Sequence, residues 1–342
     1  MMSISTPVTS LAGLLPRFGD FRVAVVGDMI LDRYIFGRAT RISPEAPVPV
    51  VLVERETETL GGAANVVRNI LGLKGRAVAC GVVGDDPRGE TLATLLADAG
   101  SDCSGLIRVP GRPTTVKTRV IANQQQQLVR IDREETAVLP AEIQTRIEAH
   151  VLGLVQARAI DAIVFEDYAK GLLTQDMMQR LVDAAREQGI ITVLDPHPAH
   201  PHAVRGLHLI KPNRAEALDL AGMHYSRSTG PVEMDEALLE ASRRIRKEWQ
   251  VKHLLITLGS GGMVLFSNGG APLHFPTQAR EVFDVSGAGD CVTATYTLAL
   301  LAGASPADAA RISNHAAGVV VAKIGTVPIS AAELLQALHG ER

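Results

Sequence analysis

Six short apolar runs, separated by stretches of helical periodicity, constrain this chain more than any other feature. They are Arg22–Gly27 (RVAVVG), Ala77–Val83, Ala159–Phe165, Ile190–Leu194, Leu207–Ile210 and His253–Leu258. Runs so short and so uniformly apolar fit strands buried on both faces. Segments with helical spacing lie between most of them: Ala63–Leu73, Gly89–Ala99, Ala141–Gln156, Gln175–Gln188 and Asp235–Trp249. Strands alternating with helices specify an α/β fold, a doubly wound and mainly parallel sheet with helices on both faces. Two further helices, Ala288–Leu301 and Pro306–Ile324, close the pattern.

Two regions break the rhythm. Tyr34–Gly37, Val48–Glu54, Thr115–Ala122 and Leu128–Asp132 read as strands with no helices between them. They predict a small antiparallel sheet apart from the main one, a β lid drawn from about residues 33–54 and 114–133. The glutamine run Gln124–Gln127 reads as the tip of a hairpin within it. The division expected is an N-terminal extension over residues 1–20, one large domain over 21–330 carrying the lid, and a C-terminal tail over 331–342.

Composition narrows the partners. Hydrophobic residues make up 46% and charged residues 21% of 342, so the chain is expected to fold throughout. A formal net charge of −3 without a basic block gives no footprint for nucleic acid or an anionic membrane. Cys80, Cys103 and Cys291 are odd in number and scattered, which argues against a disulfide framework or a zinc site and for a reducing compartment. No signal-peptide pattern and no apolar run of about 18 residues occurs. These features predict a cytoplasmic protein with a small-molecule partner.

The chemistry concentrates in Asp284–Asp290, DVSGAGD, which opens directly into an apolar helix. Small residues let the N–H groups of Gly287, Ala288 and Gly289 approach a ligand at a helix N-terminus, where the dipole favours negative charge. Asp290 stands beside this anion hole. In phosphoryl transfer such donors hold the charge of the moving group while a carboxylate takes the proton of the attacking hydroxyl. Taken alone, the segment is equally compatible with a tightly packed helix start capped by an aspartate.

The surrounding residues resemble the ribokinase-like (PfkB) carbohydrate kinase family in order along the chain. Val285–Asp290 resembles its GAGD signature, Gly61-Gly62-Ala63-Ala64-Asn65 its sugar-binding GG-x-x-N element, and Asp28 its sugar-binding aspartate. Asn213-Arg214-Ala215-Glu216 carries the N-x-x-E motif, which the resemblance links to phosphate and Mg²⁺ placement through Glu216. Leu258–Gly262 is similar to the nucleotide loop, so the resemblance implies ATP contacts at Thr257, Gly259, Ser260 and Gly262, with Asn314 beside adenine. Asp284 and Ser286 lie where relatives bind a monovalent cation, leaving K⁺ open. Each element has an ordinary alternative: Asn65 as a cap, the glycines as a turn, Glu216 as a first-turn acid. His197, His200 and His202 near Asp195 could suggest a metal, but the prolines between them favour a solvated loop.

Within the family, residues 27–34 (GDMILDRY), 41–50 (RISPEAPVPV) and 167–171 (DYAKG) resemble the kinases that phosphorylate the C1 hydroxyl of D-glycero-β-D-manno-heptose 7-phosphate for ADP-heptose and lipopolysaccharide synthesis. The resemblance is to the form without a fused nucleotidyltransferase. Glu166 departs from it, where a small residue is expected. Lys117, Arg119, Arg133 and Lys170 are the cations expected near the substrate's distal phosphate. Lid strands with open edges imply a homodimer joined through the lids. Another sugar or sugar-phosphate kinase shares every catalytic motif, and a sugar-binding regulator could share the fold. A dinucleotide enzyme fits less well, because the first strand ends G-D-M without G-x-G-x-x-G.

Overall fold

A computed structural model of the protein describes residues 8–122, 126–200, 203–225, 230–267, 270–279 and 281–340. Its strands are β1 (Arg22–Gly27), β2 (Met29–Ile42), β3 (Pro49–Gly62), β4 (Arg76–Gly84), β5 (Asp102–Val109), β6 (Thr115–Ala122) and β7 (Gln126–Arg133), then β8 (Ala162–Glu166), β9 (Ile191–Asp195), β10 (Leu209–Ile210), β11 (His253–Thr257), β12 (Met263–Ser267) and β13 (Leu273–Phe275). Among the described residues they form a nine-stranded sheet in the order β13-β12-β11-β10-β9-β8-β1-β4-β5 and a four-stranded sheet in the order β3-β2-β6-β7. The large sheet is parallel from β5 to β11, and only β12 and β13 add antiparallel pairings at one edge.

Alternating side chains of the central strands feed two cores. Val23 and Val25 point to one side of β1, against the helices Ala63–Gly72, Ala288–Leu301 and Pro306–Val320. Ala24 and Val26 point to the other, against Ala141–Gln156, Gln175–Glu187 and Glu236–Trp249. Burial on both faces is why these strands read as unbroken apolar runs. Described residues near both ends of the chain belong to this body. Phe18 near the N-terminus and Leu334 and Leu338 of the helix Ala331–His339 are fully buried in the first core, so the segments set apart as extension and tail are partly built into it. The apolar spacing of Leu334, Leu335 and Leu338 was the available signal.

The lid differs from the expected antiparallel sheet. β2 pairs antiparallel with β3 but parallel with β6, and β6 pairs antiparallel with β7. Its first two strands are also much longer than Tyr34–Gly37 and Val48–Glu54. Each begins or ends beneath the main sheet, where Met29–Leu31 and Leu60–Gly62 are buried, and runs outward until its residues are exposed. Charged residues on the outer half erase the alternation that marks a strand. Gln124 of the expected hairpin tip lies outside the described residues, while Ala122 pairs with Gln126 across the connection. No helix among the described residues is long and apolar enough to cross a membrane.

Candidate active site

Parallel register lines up charged residues along one edge of the sheet. Gly27 pairs with Glu166, Glu166 with Asp195, and Ile210 with Leu194. Asp28, Glu166, Asp195 and Lys211 therefore follow one another across the carboxyl ends of β1, β8, β9 and β10. In open parallel sheets that edge is where ligands bind.

The helix Ala288–Leu301 begins opposite this row. Its cap, Gly287, has φ +77°, and a Cβ there would stand 2.6 Å from Asn65 Nδ2, so only glycine fits. Ala288 N–H closes a turn on Val285 O (3.2 Å), which leaves the N–H groups of Gly287 and Gly289 for a ligand. Asp290, in the first turn, is buried. Its Oδ1 accepts from the Tyr168 hydroxyl (2.8 Å) and its Oδ2 from Asn65 Nδ2 (2.6 Å). Burial raises its pKa above the usual carboxylate range, and the two hydrogen bonds oppose that rise.

Behind Asp290 lies an acidic floor. Oxygens of Glu166, Asp195 and Asp290 lie within 4.8 Å of one another. Glu166 is fully buried, neither carboxylate oxygen has a hydrogen-bond partner, and burial pushes its pKa well up. The nearby Thr293 hydroxyl is committed to Gly289 O (3.2 Å). Burial also lifts Asp195 to about 6, against the pull of Lys211. Lys211 Nζ pairs with Asp195 Oδ2 at 2.7 Å, and Asp195 and Glu166 together outweigh the burial that would discharge it. A Cβ on Gly289 would come within 3.3 Å of that ammonium, so Lys211 sits directly below the anion hole.

A cavity of about 800 Å³ opens above this floor, a volume suited to a nucleotide. Its walls bring together Gly287, Ala288, Gly289 and Asp290 with Asn213, Glu216, Thr257, Gly259, Ser260, Gly262 and Asn314. Asn213 and Glu216 form a reciprocal capping box: Glu216 N–H donates to Asn213 Oδ1 (3.0 Å) and Asn213 N–H to Glu216 Oε2 (2.7 Å). The first-turn role and a place at the cavity coexist in Glu216. Gly262, at φ +85°, packs where a Cβ would meet Phe275 O at 2.1 Å. Asn314 Nδ2 donates to Pro276 O (2.6 Å). Arg214 and Ala215 are not among the lining residues, and the Arg214 guanidinium is paired with Asp235.

On the acceptor side, Asp28 Oδ2 accepts from Tyr168 N (2.9 Å) and Lys170 N (3.0 Å), while its buried Oδ1 has no partner. Burial raises Asp28 to about 6. Gly62, at φ +55°, caps the helix Ala63–Gly72, and Gly61 packs on Asp32, whose Oδ2 a Cβ would meet at 2.5 Å. Asn65 donates one amide N–H to Asp290, and its Oδ1 accepts from Arg68 (2.9 Å) and Asn69 (3.3 Å). Lys170 pairs with Glu134 (2.9 Å), and Lys117 lies over the Tyr168 ring with Nζ 5.2 Å from its centroid. Arg119 is bound to Asp32 (2.5 Å), whereas Arg133 is 63% exposed and 3.9 Å from Asp86. Asp284 accepts from Ser286 N and Gly325 N, tying the anion-hole loop to the turn at Gly325. His197 lines the cavity and His200 Nδ1 bonds Asp167 Oδ2 (2.7 Å); His202 lies outside the described residues. Sequence reasoning left Tyr168, Lys211, Asp195 and Arg112 out of the site. Arg112 lines a narrow cleft with Asp28 and Lys170. A charged Lys211 closing an apolar strand was the one clear signal.

A buried carboxylate beside backbone anion donors, between a nucleotide-sized cavity and a second acid with a free oxygen, suits transfer of a phosphoryl group to a hydroxyl. On a doubly wound sheet with a β lid, this arrangement defines an ATP-dependent sugar kinase of ribokinase-like fold. The profile of the pfkB family carbohydrate kinases matches residues 20–332, and the chain belongs to that family. It is 44% identical over 337 residues to "Bifunctional protein HldE" of Caulobacter sp. (strain K31), covering 97% of this chain and 66% of that protein. Against the protein of the same name from Pelobacter propionicus it is 40% identical, covering 96% and 65%. The chain thus spans about two thirds of the length of these relatives. The fold is shared with Arabidopsis thaliana ribokinase complexed with ribose and ATP (TM-score 0.70, 21% identity, 93% of this chain and 98% of that one). Phosphofructokinase-2 from Escherichia coli in complex with potassium shares it too (TM-score 0.74, 21% identity, 93% and 98%).

Asp28 generates a pH prediction. A carboxylate accepts hydroxyl hydrogen bonds best when ionised, and because the Asp28 pKa is raised, its charged form dominates above about 6 and is lost as pH falls through that value. The KM for the sugar substrate should rise below pH about 6, by about tenfold per unit at the limit. Steady-state kinetics of wild type and Asp28→Asn check this. The variant should bind sugar weakly at every pH without that inflection, and an unchanged inflection would assign it to another group.

Proposed function

We propose that the chain transfers the γ-phosphoryl group of ATP to the C1 hydroxyl of D-glycero-β-D-manno-heptose 7-phosphate, forming the 1,7-bisphosphate. The observation that carries the chemistry is Asp290 at the start of a buried helix, within reach of backbone donors on one side and of the acceptor pocket on the other. The heptose phosphate is favoured over other sugars by residues 27–34, 41–50 and 167–171. Two of those segments supply Asp28 and Lys170, which line one cleft.

Asp28 orients the sugar through the oxygen that has no protein partner. Asp290 takes the C1 proton as the hydroxyl attacks the γ-phosphorus. Gly287 and Gly289 N–H groups, with Lys211 below them, hold the charge on the phosphoryl oxygens. Thr257, Gly259, Ser260 and Asn314 form the nucleotide wall. Lys170 and Lys117, with Arg112, would meet the distal phosphate, whereas Arg119 is held by Asp32 within the lid. Asp195 and Glu216 both face the cavity, with Glu166 close behind Asp195, and these carboxylates would hold Mg²⁺. When bound, Mg²⁺ neutralises β- and γ-phosphate oxygens.

Incubation of the protein with Mg-ATP and a panel of sugars and sugar phosphates, with NMR assignment of the product, tests the substrate. Heptose 7-phosphate should be converted at C1 with the highest kcat/KM, and the unphosphorylated sugar should show a higher KM. Efficient conversion of another sugar phosphate instead would replace the substrate and keep the kinase.

The base is tested separately. Asp290→Asn keeps size and capping ability but cannot take the proton, so kcat should fall roughly 10²–10⁴-fold. Calorimetric binding of sugar phosphate and a non-hydrolysable ATP analogue should persist. Near-normal turnover would remove Asp290 from the mechanism.

The reading includes a homodimer through the lids. Leu52, Val53, Val129 and Ile131 expose apolar surface on the outer lid strands, with Leu52 63% accessible, and burying such side chains is worth roughly 1.5–3 kcal/mol each. Light scattering at micromolar concentration should give twice the chain mass, and charged residues at Leu52 and Ile131 should yield monomers. A monomeric wild type would dismiss the dimer.

A further inference from the structure

Three residues beyond Asn65 on the same helix, Arg68 places a guanidinium among groups on which both halves of the site depend. One nitrogen donates to Thr59 Oγ1 on the lid strand β3. The other donates to Asn65 Oδ1 (2.9 Å) and to the Thr326 carbonyl (2.5 Å). Asn65 and Thr326 are the two residues against which Gly287 is packed: a Cβ on Gly287 would stand 2.6 Å from Asn65 Nδ2 and 2.9 Å from Thr326 Cγ2.

An asparagine carboxamide can present either end to a neighbour, and its surroundings decide which. Here the carboxylate of Asp290 needs a donor, so Asn65 must turn its nitrogen inward and its oxygen outward. Arg68 supplies the acceptor-seeking charge that holds the oxygen outward. Asn69 contributes only a longer contact (3.3 Å), its amide being given mainly to Asn65 O (2.8 Å). A flipped Asn65 would set its oxygen against an ionised carboxylate in a buried space, which is strongly unfavourable.

Thr326 is held equally firmly. Its N–H donates to Tyr34 Oη (3.1 Å), and its hydroxyl lies 2.9 Å from Tyr34 Oη and 3.1 Å from Asp32 Oδ2, both on the lid strand β2. Arg68 therefore joins the edge lid strand β3 directly, and its neighbour β2 through Thr326, to Asp290 and to the loop that begins the anion hole.

We propose that Arg68 is a positioning residue of the kinase, acting through Asn65 and Thr326 to align Asp290 with the anion hole when the lid is in place. Its planar fork reaches three acceptors at once, which a lysine ammonium cannot reproduce in the same geometry. Burial lowers its pKa to about 10, countered by Asp32 and Asp290, so it keeps its charge at neutral pH.

The inference rests on Asp290 being the base, which Asp290→Asn tests independently of Arg68. Arg68→Met and Arg68→Lys are compared with wild type on whichever sugar phosphate wild type converts. Arg68→Met should lower kcat roughly 10- to 100-fold, because misalignment of a reacting group costs rate more than affinity. KM for ATP should change less than about threefold by the same reasoning, and Arg68→Lys should recover part of kcat. NMR provides a readout that a purely structural role would not move. The side-chain amide resonances of Asn65, identified by their loss in Asn65→Ala, should shift in Arg68→Met and shift less in Arg68→Lys, with the rest of the spectrum retained. Wild-type kcat in Arg68→Met, or a loss of kcat with the Asn65 resonances unmoved in both variants, would overturn the proposal.

Discussion

Parallel pairing delivers the last residue of every central strand to the same edge, and this site depends on that constraint. Gly27, Glu166 and Asp195 are register partners, and Lys211 follows the strand beside Asp195. Neighbouring strands lie about 4.8 Å apart, so a row of charges in register is necessarily crowded. The buried carboxylates of Asp28 and Glu166, the half-buried one of Asp195 and the buried Lys211 ammonium are tolerable because the edge faces a cavity that admits ligands. Burial is the main cause of the Asp195 pKa near 6 and of the stronger rise at Glu166, and for Glu166 the neighbouring Asp195 and Asp290 add to it.

Facing this row, the helix Ala288–Leu301 can begin so close only because its first residues lack bulk. Gly287 takes a left-handed conformation against Asn65 and Thr326, and Gly289 passes over Lys211. The same small residues that expose backbone N–H groups to the cavity also let Asp290 approach the sheet edge. Asn65 then links two elements of the fold, and its own orientation is fixed from the lid side by Arg68. Lid and base are thus mechanically continuous through a few hydrogen bonds, a physical basis for coupling lid position to alignment.

Much of this was legible in the sequence because burial on both faces writes strands as apolar runs. Arg22–Gly27, Thr115–Ala122, Ala141–Gln156 and Ala288–Leu301 have the bounds that periodicity indicates. The lid was legible only in outline, since β2 and β3 change from buried to exposed along their length and their parallel partner β6 lies far away in sequence. In the site, glycine turns and the lone acid at a helix start were visible, because both obey local rules. Tyr168 and Arg68 were not, because each matters through a partner more than forty residues away or through the direction of a side chain. Asn65, read as a sugar contact, has its carboxamide committed to Asp290, Arg68 and Asn69.

The two acids flanking the acceptor pocket show how environment divides labour between chemically identical groups. Asp28 receives two backbone N–H groups on one oxygen and leaves the other bare, an arrangement that suits accepting a hydroxyl hydrogen bond from a substrate. Asp290 receives one donor on each oxygen, from Tyr168 and from Asn65, which fixes the plane of its carboxylate. Fixing the plane aims the remaining lone pairs, and a base must be aimed before its basicity matters. Burial then raises its proton affinity, and the two hydrogen bonds oppose that rise. The two donors therefore aim Asp290 and temper its basicity, while burial supplies that basicity, so the side chains that hold those donors bear on both properties.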